Sequence, residues 1–597
     1  MKHLPISILL LLLIHCAWCN ADVRAFPTAE GYGKDATGGR GGKVYYVTRL
    51  DDCSDDNLVE GTLRWALRTG DDSPRTVLFQ VCGTIYLTSK LKLAHPNITI
   101  AGQTAPGGGI CIAGANIYVC QPNIIIRYIR FRAGDIPTTN YPCLDVENTR
   151  NVIIDHCSFS WSMEECLTLY DCDSTTIQWS VIGEGLYNSK HQKGARSYAM
   201  QWGGEHATMH HCLIANCVSR TPRFNGVRDE ADLSNGHHNH DAQVDNEFVN
   251  NVIFNWGKKN SLYGGENDTT KNHDAEGNAV GYNRVYMVGN YFRCGPATKV
   301  ANLSQRYFVQ GSKKSDYGCW LLSGNQFELG NPNNAALPCW SDSVLRLVNA
   351  DNLYGYTSGD PNRAFNLDGL AADEQAYNRY VLSQPLNTSG IVAEDALQAY
   401  QSVVAAEPLR GAAGASLPRY DEQDLRMLQE AAGIIEPQFA GATRPAWKGI
   451  IDSQNDIRFS QMDCFFVGDS VATGYPYLDA IEGDSLAQDT DADGLPDEYE
   501  IEIGLDPSDP ADAAQTLSNG YTYLETYLNG VADGTINKAD YEHLPYTSLQ
   551  PSMPQALPEV NTRPTDAVGY DFLGRPCATP MPSIPYISDG KTYILLH

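Results

Sequence analysis

The chain has 597 residues and carries a formal net charge of −28 at pH 7. A chain of this length can bury a large core and is expected to form more than one structural unit. Its acidity excludes a general nucleic-acid or anionic-membrane surface, because both of these partners repel a polyanion.

The first 21 residues have the pattern of a secretory leader. A basic start precedes the apolar run Ile6–Ile14, and small residues follow around Asn20–Ala21. That run is too short to span a membrane, and no later segment is long and apolar enough to do so. We therefore predict that residues 1–21 are a signal peptide and that the protein is exported to the periplasm, the cell surface or the medium.

From Asn97 onward the sequence repeats a short β-branched run at a nearly constant interval. The first runs begin at Asn97, Asn123, Asn151 and Thr175, which gives intervals of 26, 28 and 24 residues. Asn, Gly or Asp bounds most runs, and helical periodicity is absent. Strands at a near-fixed period with Asn beside them predict a parallel β-helix with stacked coils and Asn ladders. A β-sandwich is the alternative, but the runs lack the two-residue hairpin turns it requires.

A cluster of cations interrupts this acidic chain between Asn188 and Arg228. It contains six cationic side chains against one acid, Glu205. On a protein of this charge, such a cluster indicates an anionic small molecule or polymer as the ligand. The cations are Lys190, Lys193, Arg196, Arg220, Arg223 and Arg228.

The sequence pattern changes after Leu345. Residues 395–412 and 420–433 have helical rather than strand character and are expected to wrap the coil. Residues 22–483 are therefore assigned to the β-helix with its wrapping segments. Residues 484–540 form a further region, and residues 541–597 contain a Pro-rich linker and a small C-terminal β-module.

The segment Asp489–Glu500 matches the pattern of an EF-hand calcium loop without a gap. Carboxylates or a carbonyl stand at the ligand positions, and Gly494 permits the sharp turn. Acids this close together repel each other unless a divalent cation neutralises them. The sequence therefore predicts a bound Ca²⁺ that acts as a structural clip. Its predicted ligands are Asp489, Asp491, Asp493, Leu495, Asp497 and Glu500.

Four motifs in residues 25–435 point to a known family. They are TIAGQTAPGGGI, NVIIDHCSFSWS, HQKGARSYAMQWGG and, most specifically, SRTPRFNG. In these motifs the chain resembles the polysaccharide lyase family 1 pectate lyases, in particular those of carbohydrate-degrading gut bacteria. The resemblance implies an all-β, right-handed parallel β-helix, in agreement with the repeat. It also implies Ca²⁺-assisted β-elimination of polygalacturonate (pectate), which leaves 4,5-unsaturated oligogalacturonides.

The resemblance further implies roles for individual residues. Arg220 stands at the position of the base that takes the C5 proton, although a free arginine has a pKa above about 12. Arg223 is expected to pair with a substrate carboxylate through its guanidinium fork. Lys193, or Lys190 in its place, is expected to contact a substrate carboxylate as well.

The family's groove Ca²⁺ site is only partly matched. Glu164 falls on one ligand position with Glu165 as its adjacent alternative, whereas Thr168 stands where a second ligand is expected. The third position aligns near Pro142–Cys143, and Asp145 is a nearby substitute on a shifted register. The sequence leaves two possibilities: a groove Ca²⁺ with more ligands from the substrate, or an activity that has drifted.

Three other functions are compatible with the fold. A pectin lyase acts on methyl-esterified polymer without Ca²⁺, but its groove favours aromatic residues over lysines. A polygalacturonase needs paired carboxylates around a water, and the acidic stretch that starts at Asp229 is not arranged in this way. A non-catalytic pectin-binding β-helix is the third. We expect a monomer whose partners are polygalacturonate or pectin oligosaccharides and not nucleic acid.

Overall fold

The computed structural model of the chain confirms the predicted right-handed parallel β-helix and excludes the sandwich. Each coil contributes one strand to each of three parallel sheets. The structure describes residues 23–136, 140–225, 244–257, 261–265, 283–298, 309–311, 319–328, 342–357, 389–404, 421–459, 462–467, 470–476 and 485–545, and four short strands after residue 568.

The three sheets are numbered by their order around the coil. Sheet I consists of Lys43–Val47, Arg75–Phe79, Ile98–Ala101, Ile124–Arg127, Arg150–Asp155, Asp173–Gln178, His206–His210, Val244–Val249, Asn283–Val288 and Cys319–Ser323. Sheet II consists of Gly83–Leu87, Ile110–Gly114, Ile129–Arg132, Ser158–Ser160, Val181–Gly183, Leu213–Ala215, Val252–Phe254, Tyr291–Arg293 and Gln326–Glu328. Sheet III consists of Leu91–Lys92, Ile117–Val119, Leu144–Glu147, Glu165–Tyr170, Tyr198–Trp202, Arg223–Phe224, Leu262–Gly264, Val309–Gly311 and Tyr356–Thr357.

Successive coils stack in register, so similar side chains lie above one another inside the helix. Ile154, for example, pairs with Ile126 on one side and with Ile177 on the other. All three are fully buried, and they belong to one hydrophobic core that runs through the coils. The period of the β-branched runs in the sequence is therefore the period of the coil.

The expected Asn ladder follows one corner of the coil. The Asn251 carboxamide donates to Asn290 at 3.1 Å, Asn290 donates to Asn325 at 2.8 Å, and Asn325 donates to Asn352 at 3.1 Å. All four side chains are buried. The ladder satisfies polar groups that the turns would otherwise leave buried and unpaired.

Helices cover the coil from outside. Helix α1 (Leu63–Arg68) packs into the main core, as does α2 (Asp342–Ala350). Helices α3 (Ala396–Val404) and α4 (Glu422–Ala432) pack against sheet II, in agreement with the expected wrap.

Residues 485–545 form an extension that packs on sheet I. It contains α5 (Asp497–Ile503), α6 (Tyr523–Asp533) and the paired strands Ser485–Ala487 and Glu542–Pro545. Its apolar side chains share one buried cluster with Leu78 of sheet I.

The remaining elements are short. The strands Met462–Val467 and Ser470–Pro476 form an antiparallel hairpin, and the strands after residue 568 form a small antiparallel sheet. That sheet comprises Gly569–Tyr570, Pro576–Cys577, Tyr586–Ser588 and Lys591–Tyr593. The 3-10 turns are Tyr32–Asp35, Gly102–Thr104, Asn352–Gly355, Gln454–Asp456 and Lys538–Asp540. In the part of the chain that the structure describes, no helix has the length and apolar character needed to cross a bilayer.

Candidate active site

Sheet III carries a line of polar and aromatic side chains, one from each of six consecutive coils. Leu144 and Leu167 directly precede two members of this line, Asp145 and Thr168, on their strands, and both leucines lie in the hydrophobic core. Because side chains alternate along a strand, the line faces away from the core. We term this line the sheet III row. Its members, in order of pairing, are Lys92, Tyr118, Asp145, Thr168, Gln201 and Arg223.

Arg220 lies beside the row, just before the strand Arg223–Phe224. Its guanidinium forms an ion pair with Glu165, and its carbon centre lies 4.2 Å from the centre of the Tyr198 ring. Glu165 and Tyr198 are register partners on adjacent strands, so sheet III itself places both contacts. The Glu165 side chain is 2% exposed, whereas that of Arg220 is 20% exposed. The guanidinium is thus held on its inner side and open to a ligand on its outer side.

A second arginine shares the same tyrosine. Arg196 Nη1 donates to the Tyr198 hydroxyl at 3.2 Å, and its guanidinium lies 5.3 Å from the ring centre. Arg196 Nε also lies 4.0 Å from a carboxylate oxygen of Glu164. Tyr198 therefore gathers two guanidinium groups by cation–π contact, which is strongest where water is partly excluded.

Glu164 is held by a histidine. The backbone N–H of Lys193 donates to His191 Nδ1 at 2.9 Å, so the ring proton is on Nε2. That proton is donated to the Glu164 carboxylate. Because His191 is buried and Glu164 is 25% exposed, the histidine fixes a carboxylate at the edge of the site.

The other cations that are predicted to bind substrate differ in their exposure and in their hydrogen-bond partners. Lys193 is exposed. The Lys190 ammonium donates to the backbone carbonyl of Asp135 at 2.9 Å. Arg223 Nη1 donates to Gln201 Oε1 at 3.0 Å, which orients the guanidinium along the row. Arg228 and residues 229–243 lie outside the described residues.

The structure does not gather the predicted groove ligands into one cluster. Within the described ranges, the sets of three or more possible ligands whose atoms lie within 4.8 Å of one another contain none of Glu164, Glu165 and Asp145. Glu164 accepts from His191, and Glu165 pairs with Arg220. These side chains alone therefore do not make a divalent-cation site in the groove.

Sequence reasoning missed the residues that orient the site. Tyr198, His191 and Gln201 received no role, although His191 and Tyr198 both stand in the motif HQKGARSYAMQWGG. Their functions depend on partners from other coils, such as Glu164, which lies 27 residues from His191 in sequence. Alternation along a strand could have placed Gln201 on the outer face, but it does not reveal the Arg223 contact.

The predicted calcium loop in the extension does gather its carboxylates. Asp489, Asp491 and Asp493 form one set within 4.8 Å, and Asp493, Glu500 and Asp512 form a second. Glu500 is fully buried, and neither of its carboxylate oxygens has a hydrogen-bond partner. Burial, with the neighbouring carboxylates, raises the pKa of Glu500 to about 8 and that of Asp493 to about 7. Oxygen ligands of this number and charge fit Ca²⁺.

The carboxylates that the extension gathers differ from the predicted calcium ligands at two positions. Asp512, outside the loop motif, joins the cluster with Asp493 and Glu500. Asp497 lies outside both sets, and its carboxylate accepts hydrogen bonds from Gln488 Nε2 at 2.8 Å and from the Thr490 N–H at 2.7 Å.

Two further hydrogen bonds involve the carboxylates of the extension. The N–H of Leu495 donates to Asp493 Oδ1 at 3.0 Å. The Tyr46 hydroxyl, from the first strand of sheet I, donates to the Asp489 carboxylate, which links the cluster to the coil.

Comparison with known proteins places this geometry in context. A protein of Aspergillus fumigatus named probable pectate lyase C is 27% identical over 521 residues, which cover 86% of this chain and 94% of that protein. Its namesake in Aspergillus flavus is 28% identical over 538 residues, which cover 89% of this chain and 99% of that protein. A solved structure of the thermostable pectate lyase PL 47 is 14% identical, covers 65% of this chain and 97% of its own, and has a TM-score of 0.40. No family model matches the sequence.

The fold and the site define the class of this protein: it is a right-handed parallel β-helix with cations clustered along one sheet. Over most of its length, the chain is similar to the proteins named probable pectate lyase C. The similarity to the gut-bacterial members stays a prediction.

Proposed function

We propose that the protein is a pectate lyase that cleaves polygalacturonate by β-elimination, with Arg220 taking the C5 proton. The observation that carries the proposal is the placement of the Arg220 guanidinium between Glu165 and Tyr198, beside the sheet III row and open on one side. Homologues named probable pectate lyase C, which match most of the chain, support the same activity.

The charge distribution supports a polyanionic substrate. The whole chain has a net charge of −28, so a polyuronate approaching most of its surface is repelled. Arg196 and Arg220 both contact the ring of Tyr198, and Arg223 belongs to the sheet III row. This local field attracts the polymer to sheet III and orients its carboxylates toward the guanidinium groups.

The chain's own residues have separable roles in the proposed reaction. Glu165 and Tyr198 hold Arg220 in position against the sugar, which reduces the entropy lost on reaching the transition state. Arg223, oriented by Gln201, binds a substrate carboxylate.

Calcium in the groove is part of the proposal. A Ca²⁺ ion bound to the substrate carboxylate adjacent to C5 would neutralise charge that develops there during proton removal. Since the groove carboxylates form no cluster of their own, the substrate has to supply much of the coordination. Asp145 of the sheet III row is the residue we assign to this ion.

We assign a second Ca²⁺ to the extension. Asp489, Asp491, Asp493, Glu500 and Asp512 supply its carboxylates, and Tyr46 connects the cluster to the first strand of sheet I. Export of the protein after removal of residues 1–21 also remains a proposal.

The activity test follows the ultraviolet absorbance of the unsaturated uronate product on polygalacturonate, with Ca²⁺ and then with EDTA. We expect a calcium-dependent rise in wild type and a loss of about 10²–10⁴-fold in Arg220→Ala, the range for removal of a general base. Arg49→Ala is the matched control, because Arg49 follows the first strand of sheet I and pairs with its near neighbour Asp51.

Other outcomes identify the alternatives. Product formed from methyl-esterified polymer in EDTA indicates a pectin lyase. Reducing ends without the ultraviolet chromophore indicate a hydrolase. Binding of both polymers without any product indicates a pectin-binding protein, and each of these results contradicts the proposal.

A further inference from the structure

The sheet III row continues well beyond the candidate active site, toward the first coils. Its first two members, Lys92 and Tyr118, are direct register partners, and Tyr118 pairs next with Asp145. From the strand Leu91–Lys92 to the strand Arg223–Phe224 there are five inter-strand steps. At about 4.8 Å each, these steps span about 24 Å along the coil axis.

Two lysines converge on one aromatic ring at this far end. The Lys90 ammonium lies 3.7 Å from the centre of the Tyr118 ring, and the Lys92 ammonium lies 6.0 Å from it. Cation–π attraction holds both ammonium groups near one place despite their mutual repulsion. The result is a dicationic patch, which we term the distal patch (Lys90, Lys92 and Tyr118).

The backbone beneath the distal patch is held in place by helix α1. Arg68 Nη1 donates to the carbonyl of Lys92 at 2.6 Å, and Arg64 Nη2 donates to the carbonyl of Ser89 at 2.8 Å. Arg64 is itself fully buried and paired with Asp52. The lysines therefore extend from a fixed segment, which lowers the entropy lost when they bind a ligand.

Neither lysine of the distal patch forms an ion pair among the described residues, although the carboxylates of Glu147 and Asp145 act electrostatically on Tyr118. Among the described residues, no carboxylate oxygen lies within 4.0 Å of the Lys90 or Lys92 ammonium nitrogen. Lys92 is exposed, and Lys90 and Tyr118 are half-buried. On a chain with a net charge of −28, two adjacent lysines without an acidic partner form an anion-binding surface.

We propose that the distal patch is an outer subsite that binds a carboxylate of the same polyuronate chain whose reacting sugar lies at Arg220. This inference rests on the proposed function for its substrate class. A polymer laid along the row meets guanidinium groups at one end and the distal patch at the other. Lys90 and Lys92 are then affinity-determining residues for long substrates, since a short oligomer at Arg220 does not reach them.

The test measures binding by calorimetry, with oligogalacturonates of increasing length and the Arg220→Ala protein as parent. The double variant Lys90→Gln and Lys92→Gln is expected to raise the Kd for long oligomers about 2- to 10-fold, as for the loss of exposed ion pairs. Short oligomers should bind the parent and the double variant equally. Tyr118→Leu should raise the Kd in the same length-dependent way, because the ring no longer positions the lysines.

The matched control removes two charges elsewhere. Lys34→Gln and Lys43→Gln alter lysines on the sheet I side of the coil and should leave every Kd unchanged. Equal Kd values for parent and double variant at all lengths, or an equal effect in the control, would overturn the proposal.

The calorimetric result is independent of turnover. If wild type forms no unsaturated product while the length-dependent loss of binding persists, the proposed reaction fails and the outer subsite stands. If wild type cleaves the polymer and the double variant binds long oligomers normally, the subsite fails and the reaction stands.

Discussion

Arg220 owes its place in the groove to two neighbours that belong to different coils. Glu165 offers a buried carboxylate and Tyr198 offers a ring face, and the register of sheet III sets them opposite each other. The backbone at Arg220 has φ of +59°, in the left-handed region that few non-glycine residues adopt. The surrounding contacts thus maintain a conformation that the isolated segment would rarely populate.

Glu165→Gln tests whether this placement supports turnover. The substitution keeps the size of the side chain but removes the charge that pairs with Arg220. Because a small misplacement of a reacting group is costly, we expect kcat to fall about 10- to 100-fold with little change in KM. Steady-state kinetics on polygalacturonate measure this split.

Glu164→Gln is the control for that variant, since it removes a neighbouring carboxylate that contacts His191 and not Arg220. An increase of kcat in Glu165→Gln would contradict a positioning role. It would show instead that the ion pair with Glu165 hinders Arg220.

At the scale of elements, the extension is built around a cluster of buried carboxylates, of which Glu500 accepts no hydrogen bond on either oxygen. Helix α5 brings Glu500 inward, and the segment before α6 brings Asp512 to the same point. An unpaired buried carboxylate is costly, so the folded extension favours either protonation or a bound cation. The raised pKa values of Glu500 and Asp493 express this cost in the absence of an ion.

These shifts predict how stability depends on pH when Ca²⁺ is removed. With pKa values of about 8 for Glu500 and about 7 for Asp493, the folded state retains protons that the unfolded state releases near its ordinary carboxyl pKa. The unfolding free energy therefore falls as the pH rises from about 5 to about 8. Melting temperatures measured in EDTA across this range should decrease, and saturating Ca²⁺ should abolish much of the decrease.

Glu500→Gln provides the control, because it removes one of the two titrating carboxyls while leaving its size. Its melting temperature in EDTA should depend less on pH than that of wild type. An identical decrease in wild type and in Glu500→Gln would place the titrating group elsewhere.

The sequence predicts the individual secondary-structure elements better than it predicts the contacts between them. The spacing of runs from Asn97 reports the coil period, because each coil needs one buried strand in each sheet. The loop motif likewise names Asp489, Asp491, Asp493 and Glu500, whose carboxylates lie in two sets that share Asp493. Asp512 could not be found in this way, because the packing of the extension, and not a local pattern, brings it to Asp493 and Glu500.

The same limit applies to the candidate site. Arg220 is identifiable from the motif SRTPRFNG, since a short local pattern carries it. Its pairing with Glu165 and its contact with Tyr198 depend on the register between coils, which no single segment encodes. The distal patch depends on the same register, so it too becomes visible only in the folded chain.

At the scale of the whole molecule, the net negative charge and the cations along sheet III have opposite effects on an anionic polymer. The net charge of −28 disfavours the approach of a polyuronate, whereas under the proposed function the cations along sheet III attract it there. Since these interactions are largely exposed, salt should weaken them as the Debye length shortens from about 10 Å at 0.1 M to about 3 Å at 1 M. The same acidity draws divalent cations to the protein. Among the described residues, possible metal ligands lie close together in the extension and at Asp173, Glu205 and His206. In the latter set His206 already pairs with Asp173, whereas Glu500 of the extension accepts no hydrogen bond.

This arrangement predicts that the two proposed calcium ions bind under different conditions. Without polymer, calorimetry should detect one tight Ca²⁺ per chain, weakened at least ~10-fold by Asp512→Asn because a charged ligand is lost. The Ca²⁺ affinity of Asp497→Asn should stay closer to that of wild type, since the Asp497 carboxylate accepts hydrogen bonds outside the cluster. With polymer present and the protein kept folded, turnover of Asp512→Asn should still require Ca²⁺, because we assign the groove ion to Asp145 and the substrate. Two tight ions without polymer would contradict the assignment of the groove ion. Loss of turnover in a folded, calcium-saturated Asp512→Asn would show that the extension's ion takes part in catalysis.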